Sequence, residues 1–228
     1  MKPKDFYDKY WEAKKAVPDE DTTTSQRKRL LEKCLKTAIS SLDRETPKRK
    51  VKVLDAGCGN GEFAGFIRDM GCEVAGMDIS RNAVEKAKAH HPDILFKTCS
   101  VEDSLPFNDE EFDVIWSTEV LEHIFDVHSC LSDFNRLLKM GGELILTVPY
   151  HGIIKNTAIS LFGFERHFNP YISHIRFFTK PSLASCLERG GFNATMWEGV
   201  GRMWPLYKSI FVRAQKNKLP EKQVDIIG

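Results

Sequence analysis

This chain of 228 residues lacks any thiol framework. Its six cysteines (Cys34, Cys58, Cys72, Cys99, Cys130 and Cys186) form no C-x-x-C pair, and none has a histidine partner at zinc spacing. Each falls in a segment that reads as helix, strand or tight loop. Buried free thiols are therefore expected, and with them a reducing compartment, the cytoplasm. No apolar run approaches the ~18–20 residues that a membrane-spanning helix needs. Met1-Lys2-Pro3-Lys4-Asp5 leads straight into charge and aromatics where a secretory leader would turn apolar. Repeats and low-complexity stretches are lacking as well. Net charge is nearly absent too, because 33 basic and 32 acidic residues leave +1. That balance offers no general attraction to nucleic acid, and nothing in the pattern speaks to oligomeric state.

What is present is an alternation of short apolar runs and amphipathic stretches. Residues 1–52 hold 15 Lys and Arg against 9 Asp and Glu, as expected for a helical region with a solvated basic face. A helix is predicted over about Ser25–Leu42, where Leu30, Leu31, Cys34, Leu35, Ala38, Ile39 and Leu42 make one apolar stripe. Strands follow at Val51–Ala56, Cys72–Met77, Ile94–Cys99, Phe112–Trp116 and Glu143–Val148. Helices lie between them: Phe63–Met70, one capped near Asn82 with Glu85 in support, and about Val127–Lys139, stopping at Gly141-Gly142. Thr179-Lys180-Pro181 starts a further helix, and Asn193–Val200 and Ser209–Ala214 read as a final antiparallel pair. Such alternation predicts a mostly parallel sheet covered on both faces, with ligands outside the carboxyl ends of its strands. The connection from Tyr150 to Phe178, about 29 residues, is long enough to be functional or to carry its own helix.

The strongest chemical signal is Val53-Leu54-Asp55-Ala56-Gly57-Cys58-Gly59-Asn60-Gly61, a strand running through three glycines into a helix. A dinucleotide fingerprint would need a glycine where Glu62 stands, and it would place pyrophosphate near Asp55, which would repel it. A ligand with an ammonium group and no phosphate suits the acid better. Asp78 closes the next strand, 21 residues after Gly57. A carboxylate there can accept from both hydroxyls of a ribose, whereas in isolation it would read as a helix cap. The acidic run Asp109-Glu110-Glu111-Phe112-Asp113 lies at the amino end of its strand, away from the ligand edge. It is expected to be a solvated turn, and no metal site is expected anywhere in the chain.

Taken in order, D-A-G-C-G-N-G, G-M-D-I-S, V-E-D-S-L-P-F, F-D-V-I-W-S-T-E-V-L-E-H and R-L-L-K-M-G-G-E-L-I-L-T-V-P resemble the class I S-adenosylmethionine-dependent methyltransferases. The likeness is to the branch holding the ubiquinone and menaquinone biosynthesis enzymes, and it covers residues 48–215. It implies an α/β, Rossmann-like three-layer sandwich whose mostly parallel seven-stranded sheet ends in an antiparallel strand. A helical or lid segment would occupy 1–47, an insert over the acceptor site 150–178, and a polar tail 216–228.

The resemblance also implies roles for single residues. Gly57, Cys58 and Gly59 would line the methionine part of S-adenosylmethionine, with Asp55 near its ammonium. Asp78 would hold the ribose, Ile79 would pack on the adenine, and Val101 and Glu102 would meet its edge. Relatives often have Asp where this chain has Ser100, which leaves Glu102 or Asp103 for the adenine amino group. Ser117 and Thr118 would close the methionine pocket. Glu122 and His123 would either order their loop or take part in catalysis.

Transfer to an oxygen also needs a base, and His151 and His174 are the candidates. Tyr7 and Trp11, in a lid or a surface-packed aromatic helix, and Tyr150 are candidates for substrate contact. The apolar 153–168 segment, with Lys155, Arg166 and His167, would cover the acceptor pocket or touch a membrane surface peripherally. Met203–Tyr207 would extend that wall or join the core.

The expected reaction is methyl transfer to a small molecule, at an oxygen of a sugar or glycan precursor, a quinol or another metabolite, leaving S-adenosylhomocysteine. A protein or nucleic-acid acceptor, a non-catalytic binding module and a nicotinamide oxidoreductase are the competing readings.

Overall fold

In the computed structural model, which describes residues 3–13, 22–46, 49–164 and 174–222, the apolar runs assemble into one seven-stranded sheet. Its strands are β1 (Lys52–Ala56), β2 (Glu73–Asp78), β3 (Leu95–Thr98), β4 (Phe112–Thr118), β5 (Leu138–Pro149), β6 (Phe192–Val200) and β7 (Ser209–Lys216). The order is β3-β2-β1-β4-β5-β7-β6. Neighbours from β3 to β5 pair in parallel, and β7 runs antiparallel to both β5 and β6. Winding therefore reverses between β1 and β4, which opens a crevice where their carboxyl ends diverge.

Period-two burial separates the two faces. Val53 of β1 packs with Leu31 and Leu35 of α2 (Thr22–Glu45) and Ile67 of α3 (Glu62–Asp69). Its neighbour Leu54 belongs to the opposite face, with Leu131 and Phe134 of α5 (Val127–Leu137) and Leu183 and Leu187 of α7 (Lys180–Arg189). Two helical layers thus enclose the sheet. Cys34, Cys58, Cys72 and Cys130 are buried in these layers, Cys99 and Cys186 are half-buried, and all six are free thiols.

Several boundaries differ from the sequence reading for local reasons. Helix α4 (Arg81–His90) is capped by Ser80, whose Oγ accepts from the Ala83 amide at 3.3 Å. Asn82 already lies inside that helix, and Glu85 pairs with Arg81 rather than supporting a cap. Helix α5 ends at Leu137, before the glycine pair. Gly141 and Gly142 fall within β5, where the pairing jumps from Phe112–Leu138 to Val114–Glu143. In contrast, α7 starts from Thr179 as expected, and Ser182 completes a reciprocal cap with it. The end of β7 reaches Lys216, which is buried and donates from Nζ to the Leu138 carbonyl at 2.7 Å.

The long connection leaves and rejoins the sheet edge through a parallel bridge between Tyr150 and Phe178. It carries α6 (Ile153–Phe162), none of whose residues is buried. Arg166, His167 and Phe168 lie outside the described residues, as do Pro47 and Lys48 of the basic turn.

The acidic run before β4 is not simply solvated. Asp113 accepts from Arg49 Nη1 and Nη2 at 3.0 and 2.6 Å, from the Lys52 amide at 2.8 Å and from Lys139 Nζ at 2.9 Å. Lys52 also pairs with Glu111, and Arg136 with Asp109. Burial pushes the Asp113 carboxyl up, but its cationic and amide donors outweigh that and hold it below its ordinary value. Its stabilising contribution is present above the unfolded value and fades as pH falls through the folded one. Asp113→Ala should therefore lower the unfolding free energy in urea by about 2–4 kcal/mol at neutral pH. The loss should shrink as the buffer is taken below pH ~4. An equal loss at every pH would contradict the network.

Candidate active site

The turn between β1 and α3 is fixed by hydrogen bonds to the tip of β2. Gly57 and Cys58 both donate to the Met77 carbonyl, at 2.8 and 2.9 Å, and Gly61 donates to the Cys58 carbonyl at 2.9 Å. The Gly59 amide donates to Asp78 Oδ2 at 3.0 Å. Gly57 takes a φ of 85°, and a Cβ there would meet Val120 Cγ2 at 2.3 Å. This position therefore accepts only glycine. Because these amides are engaged within the protein, the turn does not present the array of N–H groups that cradles a pyrophosphate.

Two buried carboxylates lie beneath and beside the turn. Asp78 is held on its other side by the Ser80 amide, which donates to Oδ1 at 2.8 Å. Burial raises the Asp78 carboxyl above its ordinary value, and the two amides oppose that. An ionised carboxylate has about four lone-pair sites, so Asp78 keeps acceptor capacity for two further hydroxyls. Asp55 is 1% exposed, and among the described residues neither of its oxygens is within ordinary hydrogen-bond geometry of a donor, the Ala64 amide being the nearby one. Burial, then the charge of Asp78, push it up to about 8, with the Ala64 amide opposing. An acid-lined site of this kind favours a cationic ligand group over an anionic one.

A cavity of about 600 Å³ opens at the crevice between β1 and β4. It brings together Gly57, Cys58, Gly59, Asp78, Ile79, Val101, Glu102 and Thr118. Asp55 and Ser117 do not line it: Asp55 lies under the turn, and Ser117 is buried within β4. Glu102 reaches the wall while its Oε1 accepts from the Phe125 and Asp126 amides, at 2.7 and 3.3 Å. Asp103 is not among the lining residues, whereas Ser100 is.

The helix α1 (Pro3–Ala13) contributes Phe6, Tyr7, Tyr10 and Trp11 to the wall. It is tied to the start of α4. Asp8 accepts from Ser80 Oγ at 2.7 Å, and Asn82 Nδ2 donates to the Asp8 carbonyl and to Glu12, each at 3.2 Å. The Trp11 ring lies so close to Gly59 that a Cβ there would meet it at 2.8 Å.

A second, more open cavity of about 890 Å³ adjoins the first, and Arg27, Glu119 and His174 line both. The two candidate bases separate here. His174 faces both spaces, whereas His151 faces only the second, with Nδ1 3.3 Å from Asn156 Oδ1 and its ring against Phe177. Tyr150 lines neither cavity; its ring meets Tyr207 instead. Leu206 and Tyr207 join the second wall, while Met203 and Trp204 project outward.

Sequence reasoning missed Arg27 and Glu119. Glu119 has a φ of 52°, rare for a residue with a side chain. Its Oε1 pairs with Arg27 at 3.0 Å and accepts from Thr147 Oγ1 at 2.9 Å. It was legible only as part of E-V-L-E-H; for Arg27, far away in the chain, there was no signal.

The Asp55 shift has a measurable consequence. Its folded value lies above its unfolded one, so the folded state holds the proton longer, and stability falls as pH rises from near 3.8 to about 8. Asp55→Asn should flatten that decline in urea unfolding curves. A variant whose stability falls with pH as steeply as the parent's would contradict this environment.

Comparison with known proteins bears on the same residues. A family model for a methyltransferase domain matches residues 24–196. A probable S-adenosylmethionine-dependent methyltransferase of Mycolicibacterium smegmatis is 30% identical over 148 residues, 65% of this chain and 54% of that one. A ubiquinone biosynthesis O-methyltransferase of Thiobacillus denitrificans is 35% identical over 105 residues, 44% of this chain and 45% of its own. The chain thus spans about half the length of the curated relatives it matches. Among solved structures, magnesium protoporphyrin IX methyltransferase from Synechocystis, with S-adenosylhomocysteine bound, superposes with a TM-score of 0.66 at 17% identity. That match covers 94% of this chain and 98% of the other, and it speaks to the fold. The chain belongs to the methyltransferase-domain family.

Proposed function

We propose that the chain binds S-adenosylmethionine in the first cavity and transfers its methyl group to an oxygen of a small molecule held in the second. The observation that carries this reading is the junction: a glycine turn braced on Asp78 borders a space that opens, past Arg27, Glu119 and His174, into a second one. The cofactor would supply an electrophilic methyl on a sulfonium. Asp78, with acceptor capacity to spare, would take the ribose hydroxyls. Ile79 and Val101 would flank the adenine, and the orphaned Asp55 carboxylate would favour the ammonium end from beneath the turn. Aromatic side chains of α1 would exclude water, which strengthens every charge interaction inside.

Methyl transfer is an in-line displacement, so the main demand on the protein is to hold the two reactants aligned. The second cavity supports an amphipathic, anionic acceptor. Arg27, Lys155, Arg202 and Lys208 line it against one carboxylate, Glu119, and Ala158, Ile159, Phe162 and Leu206 supply apolar wall. Burial and Arg202 lower the Lys155 ammonium below its ordinary value, a cost that a bound anion would offset. A glycan precursor carrying phosphate, or a quinol carrying a carboxylate, meets both requirements. His151 is the favoured base: with Asn156 as acceptor, Nδ1 carries the proton and Nε2 is the basic nitrogen.

Calorimetry with S-adenosylhomocysteine, followed by turnover on acceptor panels, tests the reading. Asp78→Ala should weaken cofactor binding by roughly 1–3 kcal/mol. His151→Ala should reduce turnover while sparing that binding, and neutral acceptors should be poorer than their anionic counterparts. Unchanged affinity in the Asp78 variant would remove that residue from the site. Tight binding without turnover on any acceptor would favour a non-catalytic module.

A further inference from the structure

Glu122, His123 and His174 meet at the junction of the two cavities although the second histidine lies 51 residues after the first. Their ligating atoms lie within 4.8 Å of one another, and the two imidazole rings are 4.9 Å apart, centre to centre. The backbone holds this meeting in place. The Ile175 and Arg176 amides both donate to the Glu122 carbonyl at 3.0 Å, which pins the segment carrying His174 against the 3₁₀ turn Leu121–His123.

The Glu122 carboxylate is fully buried, and among the described residues neither oxygen has a hydrogen-bond partner. Its contact with His123 Nε2, at 3.8 Å, is too long to be one. Leaving a buried carboxylate so poorly paired is costly. A loop-ordering role does not account for it. Glu102 shows what that role looks like nearby, with its carboxylate on two backbone amides. For Glu122 the loop contacts are made by the backbone carbonyl, while the side chain takes no part.

We infer that Glu122, His123 and His174 form a binding site for a divalent first-row transition metal. One carboxylate and two imidazoles suit zinc, manganese or ferrous iron and leave coordination positions open. Metal–donor bonds of ~2.0–2.2 Å place donors about 3–3.5 Å apart. Side-chain rotation closes the remaining gap. Glu122 and His123 border the first cavity, and His174 borders both, so a metal held by the three would be reachable from that space. The expectation of no metal site rested on spacing along the chain, which cannot register ligands joined across the fold. This inference concerns binding and stands independently of the methyl-transfer reading.

The test uses the full chain, stripped with chelator and titrated with Co²⁺, with Zn²⁺ as competitor. One equivalent should bind with visible d–d absorption that Zn²⁺ abolishes. Glu122→Gln, His123→Ala and His174→Ala should each weaken binding tenfold or more, and His128→Ala, on α5, should not. Circular dichroism and urea unfolding of the same preparations check the fold of each variant, and calorimetry with S-adenosylhomocysteine on the parent reads the proposed function separately. A stripped chain that binds S-adenosylhomocysteine but takes up no cobalt at micromolar concentrations overturns the site. So do variants that bind cobalt as the parent does. Cobalt uptake lost in the three variants, in a chain indifferent to S-adenosylhomocysteine, would support the metal site while removing the proposed function.

Discussion

The Asp78 carboxylate accepts one amide from the turn after β1 and another from the start of α4, and the organisation of the site follows from that pair of bonds. It ties the tips of the adjacent parallel strands β1 and β2, beside the point where the winding of the sheet reverses between β1 and β4. Burial works against the charge, so the two amides are needed to keep it there. They also engage N–H groups that a phosphate-binding loop would keep for its ligand. The resulting crevice is acidic, with Asp55 beneath it, and this separates it chemically from a dinucleotide site built on the same kind of sheet.

Ser80 extends the same node outward. Its amide serves Asp78, its hydroxyl accepts from the Ala83 amide to cap α4, and that hydroxyl also donates to Asp8 on α1. The position of α1 over the cavity is therefore coupled to the residue proposed to hold the ribose. On the far side of the junction the character changes. Cations and apolar side chains dominate, and α6 leaves Ile153, Ile154, Leu161 and Phe162 exposed. In the proposed reaction, an acidic space for one reactant beside a basic, more open one for the other would keep two unlike molecules in register.

The alternation of strands and helices was legible because most of the strands carry short apolar runs bounded by glycine or charge, as Lys52–Ala56 before Gly57 shows. Asp78 was legible because a carboxylate closes a strand at a fixed distance from a glycine turn. The end of α5 was not, because Gly141 and Gly142 look like a helix stop while the chain turns into β5 at Leu138 and takes up the glycines in a register jump. The cap of α4 was misread because Asn82 and Glu85 mimic a capping box, whereas Ser80 caps the helix by itself, accepting from the Ala83 amide. The paired state of Asp113 and the contact of Arg27 with Glu119 depend on partners far away in the chain, which no local pattern encodes. The meeting of His174 with Glu122 belongs to the same class. His151 and Tyr150 follow a strand as a base and a substrate contact would, yet the bridge to Phe178 directs them away from the first cavity.

The proposed function requires an adenosyl sulfonium held across the carboxyl ends of β1 and β2, against the glycine turn and Asp78. Amide hydrogen exchange with and without S-adenosylhomocysteine reads out that contact segment by segment. Added ligand should slow exchange at Gly57–Gly61, at Asp78–Ser80, around Val101 and along α1, and leave β6 and β7 unchanged. Uniform exchange at those segments under saturating ligand, or protection confined to another part of the sheet, would contradict it.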